Sequence, residues 1–392
     1  MRKGFIFAVL AVLLFIFLAA CERAPAYDAA EPEYEAYEAQ YPEYEEIDAP
    51  YAGDEAANLA PQEPVHPLDG IPHGAIAVAY IEFMSDNLYE RLPFTYREKE
   101  AALWIAEELL AMGYSEDSVE IQSFYHNDPV VRERLWADMS STITWWGRGV
   151  DVPLRDYSQN VILTVPGQSE RTIIVGAHYD TLPYPGASDN ASGVALLLES
   201  AQRMLGADNY HTIIYVFFGA EEIGLVGARV FYSSLSQRER DNIVMMINAD
   251  VLFEGEFFLY GAGYADWDGP DFVPGSNDVS QQVSAIAQEM RSSHGMEIAT
   301  VPEAILLSSD QLVFLWEGHT VVMLFGVDLL PRAELEGGQW IWGAYGDYML
   351  VPRVLHSARD DFHYINAAWP GKIENAMWTF SLFLEGILTD RF

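Results

Sequence analysis

Five short runs of nearly uninterrupted apolar residues constrain this chain more than any other feature: Asn160 to Thr164, Thr172 to Ala177, Thr212 to Gly219, Ile243 to Asn248 and Thr320 to Phe325. Runs of this length, rich in Val, Ile and Phe, read as strands buried on both faces, and the segments between them carry helical spacing. REKEAALWIAEELLAMG predicts a helix over Glu98 to Met112 that Gly113 ends. SDNASGVALLLESAQRML predicts another, with Ser188 and Asp189 at cap positions and Ala191, Ser192 and Gly193 small enough for a close approach of its first turn. Ala367 to Leu388 predicts a closing helix that turns Trp378, Phe380 and Phe383 toward the core. The expected architecture is an α/β three-layer sandwich, a mixed, mostly parallel central sheet with helices on both faces.

Five acids and imidazoles recur in order along the chain, and nearly every one follows an apolar run. His178 lies in GAHYD, Asp189 in SDNASG, Glu222 in GAEEIG, Asp250 in NADV and His356 in HSARDD. Singly, each has an ordinary explanation: a hydrogen-bonded histidine, a solvated pair of glutamates, an aspartate capping a helix. Together and in order they fall where α/β sheets place their sites, beyond the ends of strands. Imidazole mixed with carboxylate suits zinc, whereas an all-oxygen set would suit calcium or magnesium and four thiolates a structural zinc. Five such donors could hold two ions, and a carboxylate shared between them would leave each ion an open position for water, whose proton is then lost near neutral pH. Glu221, directly before Glu222, is the natural general base, because adjacent residues leaving a strand point in different directions and cannot both easily ligate one ion.

The stretches GAHYDTLPYPGASDNASGVALLLE, FFGAEEIGLVGARVF, MMINADV and LHSARDDFHYI resemble the co-catalytic zinc exopeptidase superfamily of bacterial aminopeptidases, glutamate carboxypeptidase and glutaminyl cyclase, over roughly Leu92 to the C-terminus. The resemblance implies two zinc ions bridged by Asp189, one completed by His178 and Asp250 and the other by Glu222 and His356. It also implies Glu221 as proton shuttle, Asp180 as the carboxylate that orients His178, and a cis peptide bond between Asp189 and Asn190. The implied activity is zinc-dependent hydrolysis of N-terminal residues from a peptide substrate. SSDQLVF departs from the family's frequent Ser-Asp-His in having Gln311, a position that bears on substrate contacts or support and not on the ligand set, and Ser357 stands for a frequent Thr. Alternatives within the family are a one-zinc glutaminyl cyclase and a carboxypeptidase, which would need a cationic grip for the substrate's terminal carboxylate. A non-enzymatic solute-binding lipoprotein is a further alternative, but it gives no reason for five ligands and a base.

Arg2 and Lys3 precede an apolar run from Gly4 to Phe17, then Leu18-Ala19-Ala20-Cys21. This reads as a lipoprotein signal peptide over residues 1–21, with Cys21 lipid-modified and the protein anchored to a membrane on its extracytoplasmic face. The run is too short for a comfortable transmembrane helix. Residues 22–70 read as an acidic linker, since Glu22 to Pro64 holds thirteen acids and one arginine with no apolar periodicity, and residues 71–392 as one catalytic domain. The chain has 21 basic and 59 acidic residues, net −38; the signal carries +2 and Glu22 to Pro64 −12, leaving −28 for Val65 to Phe392. That field repels nucleic acid, which is excluded as a partner, and attracts a small peptide with a positive amino terminus. Leu135 to Gly149, with Trp145 and Trp146, reads as an insertion anchored on the core. Gly337 to Tyr348, with Trp340, Trp342 and Tyr345, is either a lid or pocket wall or a core anchor. Oligomeric state has no signal in the sequence.

Overall fold

Each of the five apolar runs forms a strand. The computed structural model describes residues 68, 70–132, 155–266, 273–335 and 341–392. The signal segment with Cys21, nearly all of the acidic linker, the segment of Trp145 and Trp146, and Trp340 lie outside these residues. The strands are β1 Val119–Tyr125, β2 Tyr157–Val165, β3 Ser169–His178, β4 His211–Phe218, β5 Ile243–Ala249, β6 Phe257–Asp266, β7 Val273–Gly275, β8 Ala299–Thr300, β9 Val321–Pro331, β10 Gly343–Tyr345 and β11 Tyr348–Val351. Their order is β1-β2-β4-β3-β5-β9-β11-β10, with β6 paired to β9. The sheet is mixed as expected. Its central strands β4, β3, β5 and β9 are mutually parallel, while β2, β6 and β11 flank them antiparallel.

Alternation along each strand divides the side chains between two apolar layers. Val161, Leu163, Ile173, Val175, Ile213, Tyr215, Met245 and Ile247 face one layer; Ile162, Ile174, Val216, Phe218 and Met246 face the other. The helices are α1 Ala75–Asn87, α2 Tyr96–Ala111, α3 Ser192–Met204, α4 Val226–Ser234, α5 Asp278–His294, α6 Gln311–Trp316, α7 Phe362–Ala368 and α8 Lys372–Leu388, with shorter turns between. Ile81 of α1, Ile105 of α2, Val194 of α3, Val283 of α5 and Phe380 of α8 join the first layer. Phe231 of α4 and Phe314 of α6 join the second, which completes the sandwich.

Two predicted helices differ in detail. The predicted Glu98 to Met112 helix begins at Tyr96, because Thr95 accepts the Glu98 amide and caps it two residues earlier. The predicted Ala367 to Leu388 helix is two helices: Pro370 has no N–H to donate and Gly371 turns the chain at φ 78, so α7 ends and α8 restarts. Phe380 and Phe383 are fully buried, while Trp378 only rests against the core.

One buried acid seats the amino end of the domain on this core. Glu199 of α3 accepts Gly74 N (2.7 Å), Ile76 N (3.1 Å) and Ala77 N (2.9 Å), the orphan amides at the start of α1. It also takes Ser381 Oγ from α8 (2.7 Å) and Arg203 Nε (2.9 Å). Gly74, at φ 80, lies so near α8 that a Cβ there would sit 2.4 Å from the main chain of Met377. Glu199→Ala leaves these donors buried without an acceptor and is expected to cost about 3 kcal/mol in urea denaturation. A loss under about 1 kcal/mol would contradict the role of this clamp.

Candidate metal centre

Three of the five sequence-identified donors leave neighbouring parallel strands at the same edge of the sheet. His178 ends β3, Asp250 directly follows β5, and Glu222 stands in the turn after β4. Asp189 lies in the turn Ala187–Ala191 that joins β3 to α3, where the Asp189–Asn190 peptide bond is cis. His356 follows β11, at φ 54. Asp189 is therefore not a helix cap as expected: its backbone is non-helical, and Asn190 Oδ1 instead accepts Gly193 N at 2.9 Å. Gly193 admits this approach, since a Cβ on it would meet Ala249 O at 2.3 Å, beside Asp250.

All five donors converge. Asp189 presents one oxygen to each imidazole: Oδ1 lies 3.2 Å from His178 Nε2, and Oδ2 lies 3.2 Å from His356 Nε2. Asp250 Oδ1 is 3.2 Å from the same His178 Nε2, and Glu222 Oε2 is 3.6 Å from His356 Nε2. Two donor groups result, His178–Asp189–Asp250 and Asp189–Glu222–His356, each with its donor atoms within 4.8 Å of one another. The donor chemistry, nitrogen mixed with carboxylate oxygen, fits zinc. Glu222 Oε1 is buried with no hydrogen-bond partner among the described residues, as a ligand atom reserved for a cation would be.

The protein's own groups make this a crowded acid site. Burial opposes the His178 cation, but Asp250 above all, then Glu221 and Asp189, hold its imidazolium well above the usual imidazole range. Asp189 stays below the usual carboxylate range despite burial, because both histidines hydrogen-bond to it. Burial pushes Glu221 well up, reinforced by Asp310 and Asp250, and pushes Glu222 well up, reinforced by Asp189 and Glu221. Asp250, Asp180 and Asp310 are raised chiefly by burial as well. Proton uptake by these carboxyls relieves the same repulsion that a divalent cation would.

Asp180 differs from expectation. His178 Nδ1 meets the Asp180 main-chain oxygen at 3.1 Å, whereas the Asp180 carboxylate lies 3.8 Å from that nitrogen. Its two oxygens accept Glu221 N (2.9 Å) and Glu222 N (3.1 Å), so it fixes the turn that carries those two glutamates. Glu98 of α2, passed over in the sequence, takes the preceding amide, Ala220 N, at 3.1 Å. Asp360, present in the HSARDD stretch but not singled out, accepts Ser188 N (2.6 Å) and Asp189 N (3.0 Å). Burial and the Asp189 charge push its carboxyl up to about 7. The buried Arg91 guanidinium donates to the main-chain oxygens of Tyr179, Pro185 and Gly186 and so braces the loop between His178 and Asp189. Gln311 falls on the supporting side: fully buried, it accepts from Asn248 at 3.0 Å and donates to Leu307 O at 2.6 Å. Its neighbour Asp310 is another acid the sequence reading missed, with neither oxygen partnered among the described residues. Trp342 packs edge-on against Phe325 at 5.9 Å, and Tyr345 rests on the same apolar cluster, so both anchor their segment.

Comparison with known proteins identifies the family and the fold. The sequence model of peptidase family M28 matches residues 160–381. A "Probable lipoprotein aminopeptidase LpqL" of Mycobacterium tuberculosis is 35% identical over 120 residues, 30% of this chain and 23% of that protein. "Leucine aminopeptidase 1" of Ajellomyces capsulatus is 33% identical over 130 residues, 29% of this chain and 33% of that protein. The chain thus matches no more than a third of the length of these curated relatives. Among solved structures, BSAP, a zinc aminopeptidase from Bacillus subtilis, superposes with a TM-score of 0.56 at 18% identity, covering 80% of this chain and 94% of that one. The Bacteroides thetaiotaomicron glutaminyl cyclase bound to N-acetylhistamine superposes with a TM-score of 0.53 at 18% identity, covering 81% and 98%. At such identities the superpositions speak for the shared fold. The family match spans more than half of the chain and includes all five donors, and the chain belongs to peptidase family M28.

Proposed function

We propose that this chain is a zinc-dependent aminopeptidase that removes N-terminal residues from peptides, and that His178, Asp250, Glu222 and His356 hold two zinc ions across a shared Asp189. The observation that carries the reading is Asp189, whose two oxygens each face a different imidazole at 3.2 Å. When bound, zinc supplies Lewis-acid polarisation of a carbonyl and lowers the pKa of water toward neutrality. Glu221 takes the proton of the attacking water and delivers it to the leaving amine. Asp180 and Glu98 keep the Glu221 main chain in place through the 220–222 amides. The acidic surroundings favour a substrate ammonium group.

The named activities of the curated relatives support action at the amino terminus. Glutaminyl cyclases share the fold, but two donor groups meeting at Asp189 favour two-ion hydrolysis over one-zinc cyclisation. The same reading has the chain anchored by a lipid on Cys21 at the extracytoplasmic face of a membrane, with residues 22–70 as spacer. The lipoprotein name of one relative supports this. Among the described residues no helix is long and apolar enough to cross a membrane.

The test compares aminoacyl fluorogenic amides, N-terminally blocked peptides and a peptide beginning with glutamine, with and without chelator. Cleavage of free-amine substrates alone, lost with chelator and restored by zinc, is expected. Cleavage of blocked peptides, or ammonia release from the glutamine peptide without hydrolysis, would overturn the assignment. Glu221→Gln is expected to keep its zinc and lose at least about a thousandfold in kcat; near-normal turnover would remove Glu221 as shuttle.

Acidity gives a further expectation for the chain stripped of metal. Carboxyls raised on folding bind protons more tightly folded than unfolded, so their stabilisation is complete below about pH 4 and is lost as pH rises through the folded values. Asp360, at about 7, marks that window, and the raised His178 acts in the same sense above its ordinary value. Stripped protein is expected to resist urea better at about pH 5.5 than at about pH 7.5, with zinc restoring stability at the higher pH. Greater stability of stripped protein at the higher pH would contradict the cluster's electrostatics.

A further inference from the structure

His356 is reached through an irregular stretch after β11, which is not one of the central parallel strands. That stretch is held from both sides. On the outside, Arg353 pairs with Asp328 (2.7 Å) and Glu256 (2.6 Å) and stacks over Trp369 at 4.9 Å. On the inside stands Glu254, four residues past Asp250 and only 1% exposed. Its main-chain oxygen accepts Arg353 N at 3.0 Å, and its Oε2 accepts Val354 N at 2.6 Å. Glu254 N donates to Gly326 O at 2.8 Å, which ties the same residue to β9. From Val354 the fixed geometry passes onward: Val354 O accepts Ser357 Oγ at 2.6 Å, so a short turn closes around His356 with its ends pinned.

A buried carboxylate is costly to desolvate, and a single amide bond is thin recompense for a role in packing alone, especially as Glu254 Oε1 has no partner among the described residues. A short bond from a main-chain amide to a buried carboxyl does impose geometry. We infer that Glu254 is a positioning residue for His356: it fixes the segment carrying that imidazole against the segment carrying Asp250 and thereby sets the zinc affinity of the Asp189–Glu222–His356 site. The inference rests on the two-zinc reading above. Groups that orient metal ligands typically change metal affinity 10- to 100-fold when removed.

The experiment is zinc titration of the purified chain against a chromophoric chelator, comparing wild type, Glu254→Ala, Glu254→Gln and His356→Ala, with urea denaturation of each. Wild type is expected to bind two zinc ions and His356→Ala one. Glu254→Ala is expected to keep one affinity within about threefold and to weaken the other at least about tenfold. Glu254→Gln, whose amide oxygen can still accept from Val354 N, is expected to stay within about threefold of wild type at both sites. With two ions bound by wild type, an unchanged Glu254→Ala, equal weakening of both its sites, or a Glu254→Gln as weak as the alanine variant would overturn the positioning role alone. A wild type that binds a single zinc ion would overturn the two-zinc reading, and the inference with it.

Discussion

At the carboxyl edge of the sheet, buried carboxylates are held by main-chain N–H groups, and the rest of the site depends on that pairing. A carboxyl taken out of water without hydrogen bonds is costly to bury, so each of these groups needs donors. Asp180 finds them in the amides of Glu221 and Glu222, Glu98 in those of Ala220 and Phe94, and Asp360 in those of Ser188 and Asp189. The bonds that satisfy Asp180 and Asp360 also fix the backbone of Glu221, Glu222 and Asp189, which face the site. Satisfying the acids and building the centre are one act.

The same arrangement links the fold to the chemistry. The parallel strands bring His178, Asp250 and the Glu221–Glu222 turn to one edge at adjacent positions, which no local sequence preference could do. The α3 turn, pressed against the end of β5 by Gly193, then supplies Asp189 between the two imidazoles. What results is acid-rich and strained electrostatically: Glu221, Glu222, Asp250 and Asp310 are all driven toward their protonated forms by burial and by one another. A site of this kind is marginal as a purely protein structure and well suited to cations, so metal affinity and domain stability draw on one source.

The central strands were legible because burial on both faces leaves them almost no polar residues, and His178, Glu222 and Asp250 because each follows such a run. The antiparallel flanks, β1, β6, β10 and β11, were not identified; exposed Ile121, Tyr125, Phe257 and Tyr348 there blur the pattern that marks a buried strand. The break between α7 and α8 was written in Trp369-Pro370-Gly371 and overlooked because apolar spacing continues across it. Glu98, Glu254 and Asp360 had no such signal. An acid that accepts a distant main-chain amide looks, in sequence, like any acid on a helix or in a loop, and only the tertiary fold supplies its partner. Asp180 was legible as a residue but its partner was not: the carboxylate takes the 221–222 amides in place of the His178 ring.

The most direct measurement is anomalous diffraction at the zinc edge from crystals of the chain grown with zinc. The account predicts two peaks about 3.5–4 Å apart, both against Asp189, one also against His178 and Asp250 and the other against Glu222 and His356. A single peak, or zinc bound away from Asp189, would contradict it.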